Sequence, residues 1–292
     1  MKLTDNVYYK RLDFDLHFPD GSRSPRMTHT VLLKYNQVCL IDCGVLSTLK
    51  DVYDLLKEAD VDIQDVDYLI NTHCHFDHTG GNYDLKAANP GLKIMVHPEG
   101  KAFLENPDDQ YAVRPIPSYK LLIRQGVKAD RLINEGDIFD IGTKLVVLHT
   151  PGHSEDSISI YLPEEKLVVC GDAIPLAGDL PIYDNLAGLK RTLHKISGLD
   201  YRYLITYFEG LYDKSEDGDN SKNPIVKASN YLQLIDDHLR EIVLGAERPV
   251  SLEEVTHKLV EKMNLPPKFP KFVYTSVSEH LKGLDLKTSS ES

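Results

Sequence analysis

The chain has 292 residues, 41% hydrophobic and 27% charged, which excludes a disordered or fibrous protein and allows one large domain with an addition, or two domains. Asp and Glu outnumber Lys and Arg by 45 to 33, a formal charge of −12 that disfavours indiscriminate binding to nucleic acid or anionic lipid. The first twenty residues carry charge throughout and no stretch approaches 18 apolar residues, so neither a signal peptide nor a membrane span is expected and the reading is cytoplasmic.

Strand-sized β-branched runs recur at 31–33, 38–41, 68–70, 94–96, 145–148, 157–162, 167–170 and 203–206. Between them, Leu49, Val52, Tyr53 and Leu56, and later Leu186, Leu189, Leu193 and Ile196, repeat at helical spacing. Strands mixed with helices predict a layered α/β body over residues 1–212. Residues 106–118 contain three prolines and read as an irregular loop placed to cover a substrate. The segment 213–224, DKSEDGDNSKNP, reads as a linker or mobile loop.

From 225 to 284 a helical appendage is expected. Ala228, Tyr231, Ile235, Leu239 and Ile242 mark one face, and Gly245 is a plausible stop. Ser251 with Glu254 and Ser276 with Glu279 each have the spacing of a capping box. Residues 285–292 are expected to fray. The four cysteines, Cys39, Cys43, Cys74 and Cys170, form no C-x-x-C pair and read as buried or reduced thiols.

Chemistry concentrates in three places, each after a strand. Asn71-Thr72-His73-Cys74-His75-Phe76-Asp77-His78-Thr79-Gly80-Gly81 packs three histidines and a carboxylate into six residues, and a loop there aims alternate side chains at one point, as metal binding requires. Thr150-Pro151-Gly152-His153 is a tight turn that presents a histidine. Cys170-Gly171-Asp172 ends a buried-looking strand on a carboxylate. A solvated polar loop is the alternative for the first; structural or surface roles are the alternatives for a lone His153 or Asp172.

The ordered set H-x-H-x-D-H, T-P-G-H and strand-ending G-D, with the early Leu40-Ile41-Asp42-Cys43-Gly44, resembles the metallo-β-lactamase superfamily over roughly residues 5–212. The resemblance implies an αββα four-layer sandwich of two mixed β-sheets flanked by helices, with metals on one edge and the small helical appendage added. It implies His73, His75 and His153 as ligands of a first metal, Asp77 and His78 as ligands of a second, and Asp172 as the carboxylate shared by both. It also implies one or two Zn2+ ions, with Fe or Mn as substitutes, and Asp77 as the catalytic group that orients a hydroxide nucleophile. One element departs from the pattern: where the family has P-G-H-G, this chain has Tyr207-Phe208-Glu209-Gly210. Glu209 therefore either replaces the missing histidine as a harder ligand or faces solvent.

His149 lies too far along its strand from His153 to share a metal and is expected to be a packing residue. Tyr111, Arg114, Tyr119, Lys120 and Arg124 form an aromatic and basic patch that reads as an anion site or as solvated surface. Three functions are weighed. The sequence following T-P-G-H resembles the glyoxalase-II-like and lactonase-like branch, which implies hydrolysis of a small thioester, lactone or related ester. A mononuclear iron dioxygenase similar to persulfide dioxygenases would need only His73, His153 and Asp172. An RNA-processing nuclease is suggested by the appendage, but the charge of −12 makes nucleic acid a poor partner. The appendage is expected to form a wall of the active-site cleft or a dimer surface.

Overall fold

The computed structural model describes residues 1–267 and 270–289. One six-stranded sheet runs in chain order through β1 (Val7–His17), β2 (Arg23–Lys34), β3 (Val38–Ile41), β4 (Val66–Ile70), β5 (Lys93–Val96) and β6 (Arg131–Leu132). Its first three strands are antiparallel neighbours, and β3 to β6 are parallel. The second sheet has β7 (Ile138–Asp140), β8 (Lys144–His149), β9 (Ile158–Leu162), β10 (Leu167–Val169), β11 (Tyr203–Thr206) and β12 (Gly210–Asp213), ordered from β12 to β7. Only β10 and β11 are parallel there. All eight expected strand segments lie within or at the ends of these strands, and the two mixed sheets flanked by helices are the αββα sandwich that was anticipated.

Parallel neighbours need a crossover. The helices α1 (Leu49–Glu58), α2 (Phe76–Thr79) and α3 (Asn82–Ala88) lie in the crossovers of the first sheet, followed by α4 (Lys101–Glu105), α5 (Pro107–Val113) and α6 (Tyr119–Leu122). The helix α7 (Leu186–Ser197) joins β10 to β11. Asn185 caps it by accepting from the Gly188 N–H at 2.8 Å, a contact of a type that contributes about 1 kcal/mol.

Alternation along each strand divides the core. Val31, Leu33, Ile41, Ile70 and Met95 meet Val147, Ile158, Ile160, Val169 and Ile205 between the sheets. Their neighbours Leu32, Leu40, Leu69 and Ile94 turn outward under α1 and α3. On the other side Val168, Cys170 and Leu204 pack under α7. All four cysteines are buried thiols.

The C-terminal helices are α8 (Pro224–Leu244), α9 (Leu252–Lys262) and α10 (Phe272–Gly283). The first of these serves two cores: Ile225, Ala228 and Leu232 join the body, while Ile235 and Leu239 join Val255, Leu259, Val273, Val277 and Leu281 in a separate cluster. The body and appendage thus share a continuous helix. The segment between β12 and α8, read as a linker, is tied in place by buried Asp217, which accepts from the Tyr212 hydroxyl and the Lys222 N–H at 2.9 and 3.1 Å.

Three local readings are corrected. Residues 107–113 of the expected irregular loop form α5, opened by Pro107 at its first turn. Ser276 is not a cap but lies inside α10, where its hydroxyl accepts from the Tyr183 N–H and donates to the Tyr183 carbonyl. Of the tail expected to fray, Leu286 N–H donates to the Leu281 carbonyl and Ser289 N–H to that of Val250; residues 290–292 lie outside the described residues. No helix among the described residues is long and apolar enough to cross a membrane.

Candidate metal centre

The three motifs meet at one edge of the sandwich. The loop after β4 carries His73 and His75, α2 carries Asp77 and His78, the turn after β8 carries His153, and the turn after β10 carries Asp172. Two motif glycines are required by close approach. Gly152 has φ +141°, and a β-carbon there would lie 2.5 Å from the Leu189 Cα. Gly171 has φ +49°, and a β-carbon would lie 2.4 Å from the Thr72 hydroxyl oxygen. Both backbones occupy conformations that favour glycine.

Two groups of donor atoms converge, each within 4.8 Å: His73, His75 and His153, and His73, His78 and Asp172. The His75 Nδ1 lies 2.9 Å from His73 Nε2 and 3.0 Å from His153 Nε2. His153 Nε2 lies 3.3 Å from Asp172 Oδ2, and His78 Nε2 lies 3.6 Å from Asp172 Oδ1 and 3.9 Å from Asp77 Oδ2. Nitrogen donors around a tetrahedral ion are about 3.3 Å apart, so the spacing suits a shared ion. Among the described residues, the His78 Nε2 and Asp172 Oδ1 atoms are buried without a hydrogen-bond partner. Such orphaned atoms are costly unless a ligand satisfies them.

The outward nitrogens are fixed by the fold. His153 Nδ1 donates to the Ile182 carbonyl at 2.9 Å, leaving Nε2 with its lone pair directed inward. His78 Nδ1 lies 3.1 Å from Asp42 Oδ2, and Asp42 also accepts from the Thr72 N–H and hydroxyl at 2.8 and 2.6 Å. Asp42 is buried in a left-handed conformation, φ +58°, which Asp tolerates better than most residues. This gives the I-D-x-G motif its physical role as support for the His78 ring. The Cys74 peptide, between the first two histidines, is gripped from both sides: Asp156 accepts its N–H at 2.7 Å, and the buried Gln110 amide donates to its carbonyl.

Burial pushes His73, His75 and His153 below the ordinary imidazole range, keeping them neutral as ligands must be. His78 behaves oppositely: burial opposes its charge, but the carboxylates of Asp42, Asp77 and Asp172 outweigh this and raise it. Burial, reinforced by the Asp172 charge, lifts Asp77 above the usual carboxylate range. Asp172 is held low because its interactions with His153 and His78, and behind them the Arg114 charge, overcome its burial. A cation at this edge fits the carboxylates and orphaned atoms.

Glu209 does not join the converging donors. Its carboxylate accepts from Lys227 Nζ at 2.9 Å, because the chain reverses into β12 at Gly210 and carries residue 209 to the surface side. Beside His78 stands Tyr207, missed in the sequence reading. Its ring is stacked at 3.9 Å between centroids, and its buried hydroxyl has no hydrogen-bond partner among the described residues. His149 is outside both groups as expected, stacked on His97 at 4.3 Å and bonded to the Glu155 carbonyl at 2.8 Å. The aromatic and basic patch separates: Lys120 and Arg124 pair with Asp108 and Asp84 on the surface, Tyr111 stacks on Tyr119, and Arg114 turns inward.

A family model described as the metallo-beta-lactamase superfamily matches residues 23–207. The chain is 31% identical over 142 residues to a hydroxyacylglutathione hydrolase of Rhodospirillum rubrum, covering 48% of this chain and 46% of that protein. It is 31% identical over 118 residues to an acyl-coenzyme A thioesterase of Gallus gallus, covering 36% and 40%, and 31% identical over 132 residues to a lactamase-like protein of Emericella nidulans, covering 45% and 34%. The matches therefore span about a third to a half of these relatives. A metallo-beta-lactamase family protein from Thermus thermophilus superposes with a TM-score of 0.71 at 19% identity, over 97% of this chain and 94% of the other, and a beta-lactamase domain protein from Burkholderia ambifaria also reaches 0.71 at 17%, over 97% and 88%. Fold, motif order and matched length agree that this chain belongs to the metallo-β-lactamase superfamily.

Proposed function

We propose that the protein is a metal-dependent hydrolase of a small thioester, with His73, His75 and His153 holding one divalent ion and Asp77, His78 and Asp172 facing a second. The observation that carries the reading is the cluster of inward imidazole nitrogens beside a buried carboxylate with an unsatisfied oxygen. Zn2+ suits nitrogen donors of this kind, and Fe or Mn is compatible with the carboxylates. When bound, such an ion supplies Lewis acidity that lowers the pKa of water and polarises a carbonyl. The thioester class is supported by two relatives whose names describe thioester hydrolysis.

The protein's own groups divide the remaining work. Asp77 is the carboxylate with access to solvent, its side chain 31% exposed against 5% for Asp172. This placement suits it to orient the attacking water by accepting a hydrogen bond from it. Asp42 and the Ile182 carbonyl keep the His78 and His153 rings in place.

The test is metal analysis of protein purified without added metal, followed by release of free thiol from acyl thioesters. Bound zinc and metal-dependent thiol release are expected. A single iron per chain, with oxygen uptake on a persulfide and no thioester cleavage, would replace this reading by the dioxygenase one.

A further inference from the structure

Arg114 is turned inward, and its ion pair with Asp184 leaves the guanidinium fork without a hydrogen bond among the described residues. It follows α5, whose Gln110 amide holds the Cys74 carbonyl between His73 and His75, and its own N–H donates to the Gln110 carbonyl at 2.8 Å. Its side chain is only 11% exposed and its guanidinium lies 4.3 Å from the centre of the Phe272 ring on α10. Asp184 is its ion-pair partner at 3.7 Å, beyond hydrogen-bond length. The Asp184 N–H in turn donates to the Gly152 carbonyl at 2.8 Å, directly before His153. Arg114 is thus framed by the two loops that present the histidine donors.

A guanidinium has five N–H donors in a planar fork. Among the described residues none makes a hydrogen bond that fills this fork, and the Phe272 ring covers one side of it. The Arg114 guanidinium is near enough to the donor cluster to interact electrostatically with His75, His153 and Asp172. On a chain of net charge −12, an anionic substrate needs a local positive group to settle at this edge. A carboxylate matches the fork in size and geometry.

We propose that Arg114 is a specificity determinant that anchors a substrate carboxylate lying a few bonds from the scissile carbonyl, with Phe272 of the appendage packed against the guanidinium. The substrate class is then an acyl thioester bearing a carboxylate near the reacting carbon. This rests on the hydrolase reading for the bond that is cleaved, but not for the anion that is bound.

The test uses the zinc-loaded full chain with two matched substrates, the succinyl and butyryl thioesters of N-acetylcysteamine. The wild-type protein should prefer the succinyl compound by at least tenfold in kcat/KM. Arg114→Gln should raise KM for the succinyl thioester by about 10- to 100-fold and change that for the butyryl thioester less than threefold, while Arg114→Lys should recover part of the loss. Calorimetric binding of the non-hydrolysable succinyl amide to the zinc-free protein should weaken in parallel. Equal losses for both substrates, or a wild-type protein indifferent to the carboxylate in both kinetics and binding, would overturn the proposal. If no thioester is cleaved but the amide binds in an Arg114-dependent way, the hydrolase reading fails and the anchor stands. Cleavage of both thioesters without an Arg114-dependent difference has the reverse meaning.

Discussion

The two halves of the donor cluster differ in how completely the protein has built them. His73, His75 and His153 are neutral, buried and within 3.0 Å of one another through His75 Nδ1. The other half, His78, Asp77 and Asp172, is spaced at 3.6 to 3.9 Å, holds two carboxylates and keeps two orphaned buried atoms. It has Tyr207 stacked beside it, while Glu209 pairs elsewhere. Preformed neutral nitrogens need little rearrangement or deprotonation to take a metal, whereas His78 must first give up a proton that three carboxylates favour. On the proposed two-ion reading, we expect the first half to be the tighter site.

The largest effect that would break this comparison is at His75. Replacing it with Ala removes the nitrogen between the other two, and metal content and hydrolysis should both be lost, while His149→Ala should change neither; elemental analysis and thiol release check this. A smaller and more selective loss is expected from Asp42→Asn. It weakens the support of the His78 ring, so affinity for a second ion should fall about 10- to 100-fold with the first ion retained, as read by competition with a chelating dye. The smallest effect belongs to Glu209→Gln, which breaks a partly exposed pair with Lys227. Metal stoichiometry should stay unchanged and stability should fall by no more than about 1 kcal/mol, measured by denaturant unfolding.

Stability at low pH sharpens the contrast between site and surface. Arg202 and the Ser215 contacts hold Asp213 down to about 2. A lowered folded-state pKa contributes stability that is present above the unfolded value near 3.9 and lost as pH falls toward 2. Asp213→Asn should therefore flatten the acid limb of unfolding between those values without altering metal content.

Much of this architecture was legible because buried strands are apolar on both faces and the ligands are compressed into short turns. The runs 38–41 and 68–70 have no other plausible state, and H-x-H-x-D-H needs only one loop to converge. The eleven residues of β1 escaped because the apolar alternation changes phase at Lys10 and Arg11, from Val7 and Tyr9 to Leu12, Phe14 and Leu16. A four-residue β12 beginning at Gly210 offered too little pattern, and missing it left the direction of Glu209 undecided. Ser276 has cap spacing, yet its partner is Tyr183, a tertiary contact without local signal. Arg114 was visible as a charge, but its contact with Phe272 depends on the tertiary placement of α10, which has no local signal.

The inequality of the two halves is tested most directly by zinc content during dialysis against graded concentrations of chelator. One ion per chain should persist over a broad plateau, be absent in His75→Ala and remain in Asp42→Asn. Loss of two ions together in the wild-type protein, or retention of the plateau in His75→Ala, would contradict the inequality.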